Sequence, residues 1–410
     1  MVGNLCIPGA ATAGQDETDP VPDTGTDGSS GGDVVTDSWG TWGSSATSDG
    51  WNDTTAGQST WGCTPFECGV DVSCGVVDDG CGGQLDCGAC DEFAVQGIIP
   101  VRMVGDRTRG RLYVTVRSDS PTHANELVTL DPSTATVVSS VFIGSDPSSL
   151  ALSDDHSTLW VALDGSYEIR RVDLTTPDPT PGANYALPPG DWGEPAVAGP
   201  MVVLAGTTGT VAVSLHQWGL SPSFQGVAVL DDGVPRPVQT PGHTGASRLT
   251  GGPADWIFGF NDEHTGFGFY ALHVLQDGPT QTEHEGLVSG FNTDIIHADG
   301  RVYATNGAVI DVSNPAAPVK AGMFPFVGEI LPRPDQGRIL MLSPANFDQA
   351  TALLRDLDPQ TFTQKGQHPL SLTGEYMTDF TASDDATLAV IAWDWDHEPA
   401  VYIFPNPFAG

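Results

Sequence analysis

Basic residues are scarce in this 410-residue chain. It holds 15 Lys plus Arg against 52 Asp plus Glu, a formal net charge of −37. Only Lys320 and Lys365 are lysines, and residues 1–92 hold sixteen acids and no base before Arg102. A chain without a basic face cannot neutralise a phosphate backbone or an anionic lipid surface, so nucleic-acid partners are not expected. Long apolar runs are missing too. None reaches the roughly 20 residues that cross a bilayer, and no transmembrane segment is expected. Helical periodicity is absent after residue 93. So are the signatures HExxH, the P-loop and GxSxG. "GFGFYAL" at 266–272 lacks the third glycine of a dinucleotide fingerprint and reads as a strand.

Cysteine, by contrast, is concentrated. Cys63, Cys68, Cys74, Cys81, Cys87 and Cys90 fall within 28 residues, and only Cys6 lies outside. An even, dense set predicts a disulfide framework and an oxidising compartment, hence export. Fifteen pairings are open to six cysteines. A zinc site is the competing reading, because Cys87 and Cys90 form a CxxC. The module has no second CxxC and no His. It resembles a short cysteine-rich unit of exported bacterial surface proteins through Cys74-Gly75, Asp79-Gly80-Cys81-Gly82-Gly83, Leu85 and Cys87-Gly88-Ala89-Cys90. That resemblance implies a location more than a chemistry.

Four regions follow. Residues 1–13 read as a remnant of a targeting segment. They lack a basic start, but Ala11-Thr12-Ala13 has the small residues of a cleavage site. Cys6 is a candidate for lipid attachment, although Leu5 stands where a small residue is expected; a start-site remnant is the rival reading. Residues 14–62 are an acidic Gly/Ser/Thr/Asp linker, expected to be disordered because so little apolar surface cannot offset ordering entropy. Trp39, Trp42, Trp51 and Trp61 punctuate it, as partner-binding residues or as low-complexity drift. Residues 63–90 are the cysteine-rich module, and 92–410 the main domain.

That domain repeats. A Leu/Val/aromatic strand preceded by a turn recurs as "RLYVT" (Arg111), "TLWVA" (Thr158), "MVVLA" (Met201), "DWIFGF" (Asp255), "RVYAT" (Arg301), "RILML" (Arg338) and "TLAVI" (Thr387). Seven copies at a period near 46 match a four-stranded blade and predict an all-β seven-bladed propeller. Leu130-Asp131-Pro132, Val172-Asp173-Leu174, Ile310-Asp311-Val312 and Leu357-Asp358-Pro359 repeat in the third strand. The chain ends on a third strand, "VYIFPNPF". "EFAVQGII" at 92–99 is therefore expected to supply the missing outer strand of blade seven and close the ring. The stretches "LYVTVRS…ELVTLDPSTATVV" and "IGSDPSSLALSDDHSTLWVAL" resemble the YVTN-type repeat of bacterial seven-bladed propellers. The resemblance implies a secreted or surface protein of unspecified role. Repeated Gly-His and Trp-Asp pairs of the WD40 kind are missing.

Propeller sites gather at the channel mouth. Stepping back from each anchor strand places Arg102, Ser149, Glu194, Ser247 or Arg248, Asp294, Glu329 and Asp379 at one level around the axis. Four converging carboxylates (Glu194, Asp294, Glu329, Asp379) would repel one another unless a cation compensates, and Ca²⁺ suits a ring of oxygens. The plainer reading is a water-filled acidic channel partly neutralised by Arg102 and Arg248. "DEHTG" (262–266), "TEHEG" (282–286) and "WDWDHEP" (393–399) mix His with acids in expected loops, where solvated clusters are the default. The expected function is non-catalytic: a monomeric, surface-tethered binding or scaffold protein for an unknown protein or small molecule. The alternative is a Ca²⁺-dependent hydrolase or lyase such as a lactonase.

Overall fold

The computed structural model describes residues 76–78, 83–86, 93–191, 193–344, 352–372 and 375–409. All seven cysteines and the acidic linker lie outside the described residues, so the disulfide, zinc and lipid-attachment expectations are not addressed there. A short hairpin pairs Val76–Asp78 with Gln84–Asp86 within the cysteine-rich region. From Phe93 onward the chain forms seven four-stranded antiparallel sheets. Among the described residues there is no α-helix, only two single 3₁₀ turns at Asp164–Ser166 and Pro334–Gln336.

Each sheet is one blade. Blade 1 runs Pro100–Asp106, Arg111–Val116, Glu126–Asp131, Thr136–Phe142 from the axis outward. The inner strands of blades 2 to 7 are Pro147–Leu152, Val197–Val203, Arg248–Thr250, Ile295–Ala298, Glu329–Arg333 and Tyr376–Ala382. Burial explains the visible repeat. A second strand such as Thr158–Leu163 is buried at every residue, because neighbouring blades cover both faces, and it therefore reads as a continuous apolar run. The outer strand Thr136–Phe142 alternates exposed and partly buried residues instead. The repeated third-strand aspartate has a local job. The Oδ1 atoms of Asp131, Asp173, Asp311 and Asp358 accept the N–H two residues on, at 2.9, 2.8, 2.9 and 2.8 Å. The side chain thus shapes the turn into the outer strand.

The core is a ring of seven apolar clusters, one at each junction between neighbouring blades. The junction of blades 7 and 1 is as complete as the rest, joining Met103, Leu112 and Val114 to Ala389, Ile391 and Val401. The expected closure occurs there. Phe93 and Ala94 pair antiparallel with Ile403 and Tyr402, and the Val95 N–H donates to the Val401 carbonyl at 2.8 Å. Val95 and Ile98 then drop into the same cluster.

One blade differs from the expectation. "MVVLA" is the end of blade 3's inner strand, not its second strand, which is Thr210–His216. Both strands are apolar, so composition alone did not separate them.

The closing strand predicts its own test. Val95→Asp places an unpaired charge in the 7/1 junction and should cost about 3–5 kcal/mol in denaturant unfolding. Val138→Asp, at a 49% exposed outer-strand position, should stay within about 0.5 kcal/mol of the parent. Equal losses would contradict closure through Val95.

Candidate functional site at the channel mouth

Inner strands begin, and second strands end, on the same face of the ring. Two cavities of about 660 and 610 Å³ open there around the axis. They share Val101, Arg102, Arg248, Asn292 and Asp294, and together they take lining residues from all seven blades. Trp218 and Phe291, 75% and 54% exposed, stand at the rim.

The expected level of axial charges is largely present, but arginines and backbone groups answer it. Asp379 occupies an irregularity in the inner strand of blade 7 with φ 55°, a left-handed conformation that Asp tolerates better than most residues. Its Oδ2 accepts the Met103 N–H at 2.7 Å, and its Oδ1 lies 3.4 Å from the Arg102 guanidinium. Arg102 also donates to Thr378 Oγ1 at 2.8 Å. Asp379 is thereby a clamp between blades 7 and 1. Burial pushes its pKa up, with Arg102 and the Met103 N–H opposing. Arg248 Nε donates to Asp262 Oδ2 at 2.9 Å, and Ser247 Oγ donates to Asp262 Oδ1 at 2.7 Å. Asp294 Oδ1 accepts the Ile295 N–H at 2.8 Å. Ser149 lines the larger cavity.

Glu329 is the exception. Its carboxyl has no hydrogen-bond partner among the described residues. Burial, reinforced by the fields of Asp294 and Asp379, pushes it up to about 8 against the pull of Arg102 and Arg248.

Glu194 does not join this group. It is exposed on the turn before blade 3's inner strand and lines neither cavity. The misread anchor of blade 3 placed it at the axis. Gly199 lines the cavity in that blade, and a Cβ there would lie 2.5 Å from the His216 ring. Among the described residues, no three His, Cys, Asp or Glu side chains are grouped to hold a metal ion. The four-carboxylate donor set that suggested Ca²⁺ is not assembled.

A network absent from the expectations lines the larger cavity. His216 ends the second strand of blade 3. Its Nε2 lies 3.0 Å from Ser214 Oγ, and its Nδ1 lies 2.7 Å from Ser223 Oγ and 3.3 Å from Glu263 Oε1. Glu263 also accepts the Ser223 and Phe224 N–H groups at 2.6 and 3.1 Å and the Ser223 hydroxyl at 2.7 Å. Burial alone would raise Glu263, but these donors outweigh it and hold the carboxyl at about 2. Ser214 is no free nucleophile. It is fully buried, and its hydroxyl donates to the Ala246 carbonyl at 3.0 Å in the next blade. Thr115 makes the matching bond to Ser148 from the same place in blade 1, also at 3.0 Å. In the neighbouring blade 2, Asp164 accepts a hydrogen bond from Ser148 Oγ at 2.6 Å, and burial raises its pKa.

Of the three His–acid runs, "DEHTG" reaches the site through Asp262 and Glu263, and "WDWDHEP" through Trp393 and Pro399 but not through its His or acids. His264 instead accepts the Gly266 N–H at 3.1 Å. "TEHEG" overlaps the outer strand Gly278–His284, far from the axis. In "WDWDHEP", His397 pairs with Asp394 at 2.8 Å within its own loop, and Glu398 pairs with Arg117 at 3.1 Å.

These features define a seven-bladed β-propeller with a polar, charge-paired channel mouth. No protein-family model and no curated protein matches the sequence. Solved structures match the fold. The β-propeller domain of Cps50 (Swd1) from Myceliophteria thermophila aligns with a TM-score of 0.54 at 11% identity, over 77% of this chain and 99% of that one. Kuenenia stuttgartiensis hydrazine synthase aligns at 0.52 and 11%, over 77% and 97%. The WD40 repeats of RRP9 align at 0.52 and 10%, over 77% and 98%. WD40-type propellers are thus structural neighbours without shared sequence.

Two carboxyls predict opposite pH behaviour. The folded protein holds the Glu329 proton more tightly than the unfolded chain, so stability falls as pH rises from about 4.5 through about 8. Glu329→Gln should match the parent's Tm at pH 4 and exceed it increasingly toward pH 9. A constant difference would contradict the raised pKa. Glu263 is depressed, so its contribution is present above about 4.5 and is lost as pH falls toward about 2. The penalty of Glu263→Gln, measured by calorimetry at pH 7, should shrink steadily toward pH 2; a penalty independent of pH would contradict it.

Proposed function

We propose that this protein is a binding propeller, exported and tethered through its acidic linker, that holds a ligand or partner segment at the channel mouth as a monomer. One observation carries the reading: all seven blades contribute to the lining of the mouth cavities, with exposed Trp218 and Phe291 at the rim. Polar groups converging in a concave site with aromatic edges are what recognition needs. The cysteine-rich module and the unbroken acidity of residues 1–92 support export and tethering.

A second reading rests on His216. A histidine oriented by Glu263 beside a cavity has the layout of a general base. It is weaker, because both ring nitrogens already face serine hydroxyls. The Ca²⁺-dependent hydrolase or lyase loses the donor set that motivated it.

Differential melting against a panel of amines, amino acids, sugar acids, lactones and short peptides tests the proposal. At saturating concentration a binder should raise Tm by at least 2 °C. Trp218→Ala and Arg248→Ala should abolish that shift, while Val234→Ser, at a distant 68% exposed position, should retain it. Shifts that ignore Trp218→Ala and Arg248→Ala would overturn the site. Turnover of a panel member that stops in His216→Gln would favour the second reading.

A further inference from the structure

Blade 7 brings aromatic rings to the mouth cavity of about 610 Å³. Tyr376 opens its inner strand and Trp393 closes its second strand, so the two stand directly opposite each other across the strand pair. Both line the cavity, and their rings lie nearly parallel with centroids 5.8 Å apart. Trp395 meets Tyr376 edge-on at 5.8 Å and is 84% exposed, so the aromatic surface continues from the cavity to solvent. Core packing does not require these rings. Tyr376 is 41% exposed, and large apolar groups clustered in the open are what a binding surface shows.

Groups of both charge signs line the same cavity: Arg102, Arg117, Arg248, Asp294 and Glu329, with Asn292 among them. Three of the chain's thirteen arginines thus gather at one place. A cationic ligand would meet three guanidiniums. An anionic ligand would meet Asp294 and the field of a chain with net charge −37. Neither sign is favoured, and a neutral ligand rich in donors and acceptors fits better. Hydroxyl groups answer that description, because each one donates and accepts, and so can pair with guanidinium, amide and carboxylate alike.

We propose that the mouth takes a neutral oligosaccharide, with one sugar ring lying against Tyr376, Trp393 and Trp395 and its hydroxyls paired with the polar groups of the cavity. The assignment rests on the mouth being the binding site and names the ligand class for it. One face of a pyranose is a patch of C–H bonds, which packs on the electron-rich face of an aromatic ring, while its edge carries the hydroxyls. The cavity lies within the range of about 300–1,000 Å³ that small ligands occupy. Trp218 and Phe291 at the rim of the adjoining cavity offer an aromatic contact to a further ring of the same saccharide.

Titration calorimetry tests it with β-1,4-linked hexamers of glucose, xylose, mannose and N-acetylglucosamine, which are neutral, and of glucosamine and galacturonate, which are charged. At least one neutral hexamer should saturate below millimolar concentration and bind at least tenfold tighter than either charged one. Its affinity should change less than twofold between 50 and 500 mM NaCl, because no net charge is screened. Trp395→Ala, at an exposed position that leaves folding intact, should weaken it at least fivefold. Trp395→Phe should restore most of the loss, and Val234→Ser should behave as the parent. No saturable binding of any neutral hexamer, preference for a charged one, or an unchanged affinity in Trp395→Ala would each overturn the proposal. A short peptide, amine or sugar acid that binds instead, and is lost in Arg248→Ala, would overturn the saccharide assignment while leaving the mouth as the binding site.

Discussion

Seven inner strands must reach one axis, and the side chains at their leading ends cannot avoid one another. In a chain this acidic, that convergence is the constraint on which the structure depends. It is met by charge pairing and by small residues. Asp379 adopts a left-handed backbone so that one carboxylate can take the Met103 N–H and face Arg102, binding the last blade to the first. Gly105 lies beside that clamp, where a Cβ would meet the Ala382 carbonyl oxygen at 2.2 Å. Gly199 concedes the same kind of space to His216. Glu329 has no hydrogen-bond partner among the described residues, and burial with the fields of Asp294 and Asp379 raises its pKa.

Away from the axis the same junction is repeated with variations. Each blade buries its second strand between two neighbours, and Thr115 and Ser214 send a hydroxyl to a carbonyl within or just ahead of the next blade's inner strand. Closing the circle brings the strand Phe93–Ala94 beside Ala400–Pro405 and completes the 7/1 cluster. The mouth cavities are a consequence of this geometry, because the loops after the second strands and the starts of the inner strands meet on one face. Function then depends on which side chains those loops carry, and the fold does not dictate that.

The number of blades was legible because a strand covered on both faces has to be apolar, and the run recurs. The third-strand aspartates were legible because the turn they shape recurs with them. Blade 3 was misread because "VAGPMVV" and "TVAVSLH" are equally apolar, and the error carried Glu194 to an axis it does not reach. The His216 network was not legible. Ser223 and Glu263 meet across 40 residues of chain and two blades, and no local spacing announces that. Pairing of Arg248 with Asp262 was likewise hidden, whereas the gathering of Asp294, Glu329 and Asp379 near Arg102 followed from blade register alone.

The central claim is that blade convergence buries more carboxyl groups at the axis than its two arginines offset. Titration of the Glu329 side-chain carboxyl by carbon-13 NMR, with Glu329→Gln to assign the resonance, measures that directly. A midpoint near 8 is predicted. A midpoint near the ordinary 4.5 would mean that the axial carboxyl is solvated and uncoupled, and would contradict the account.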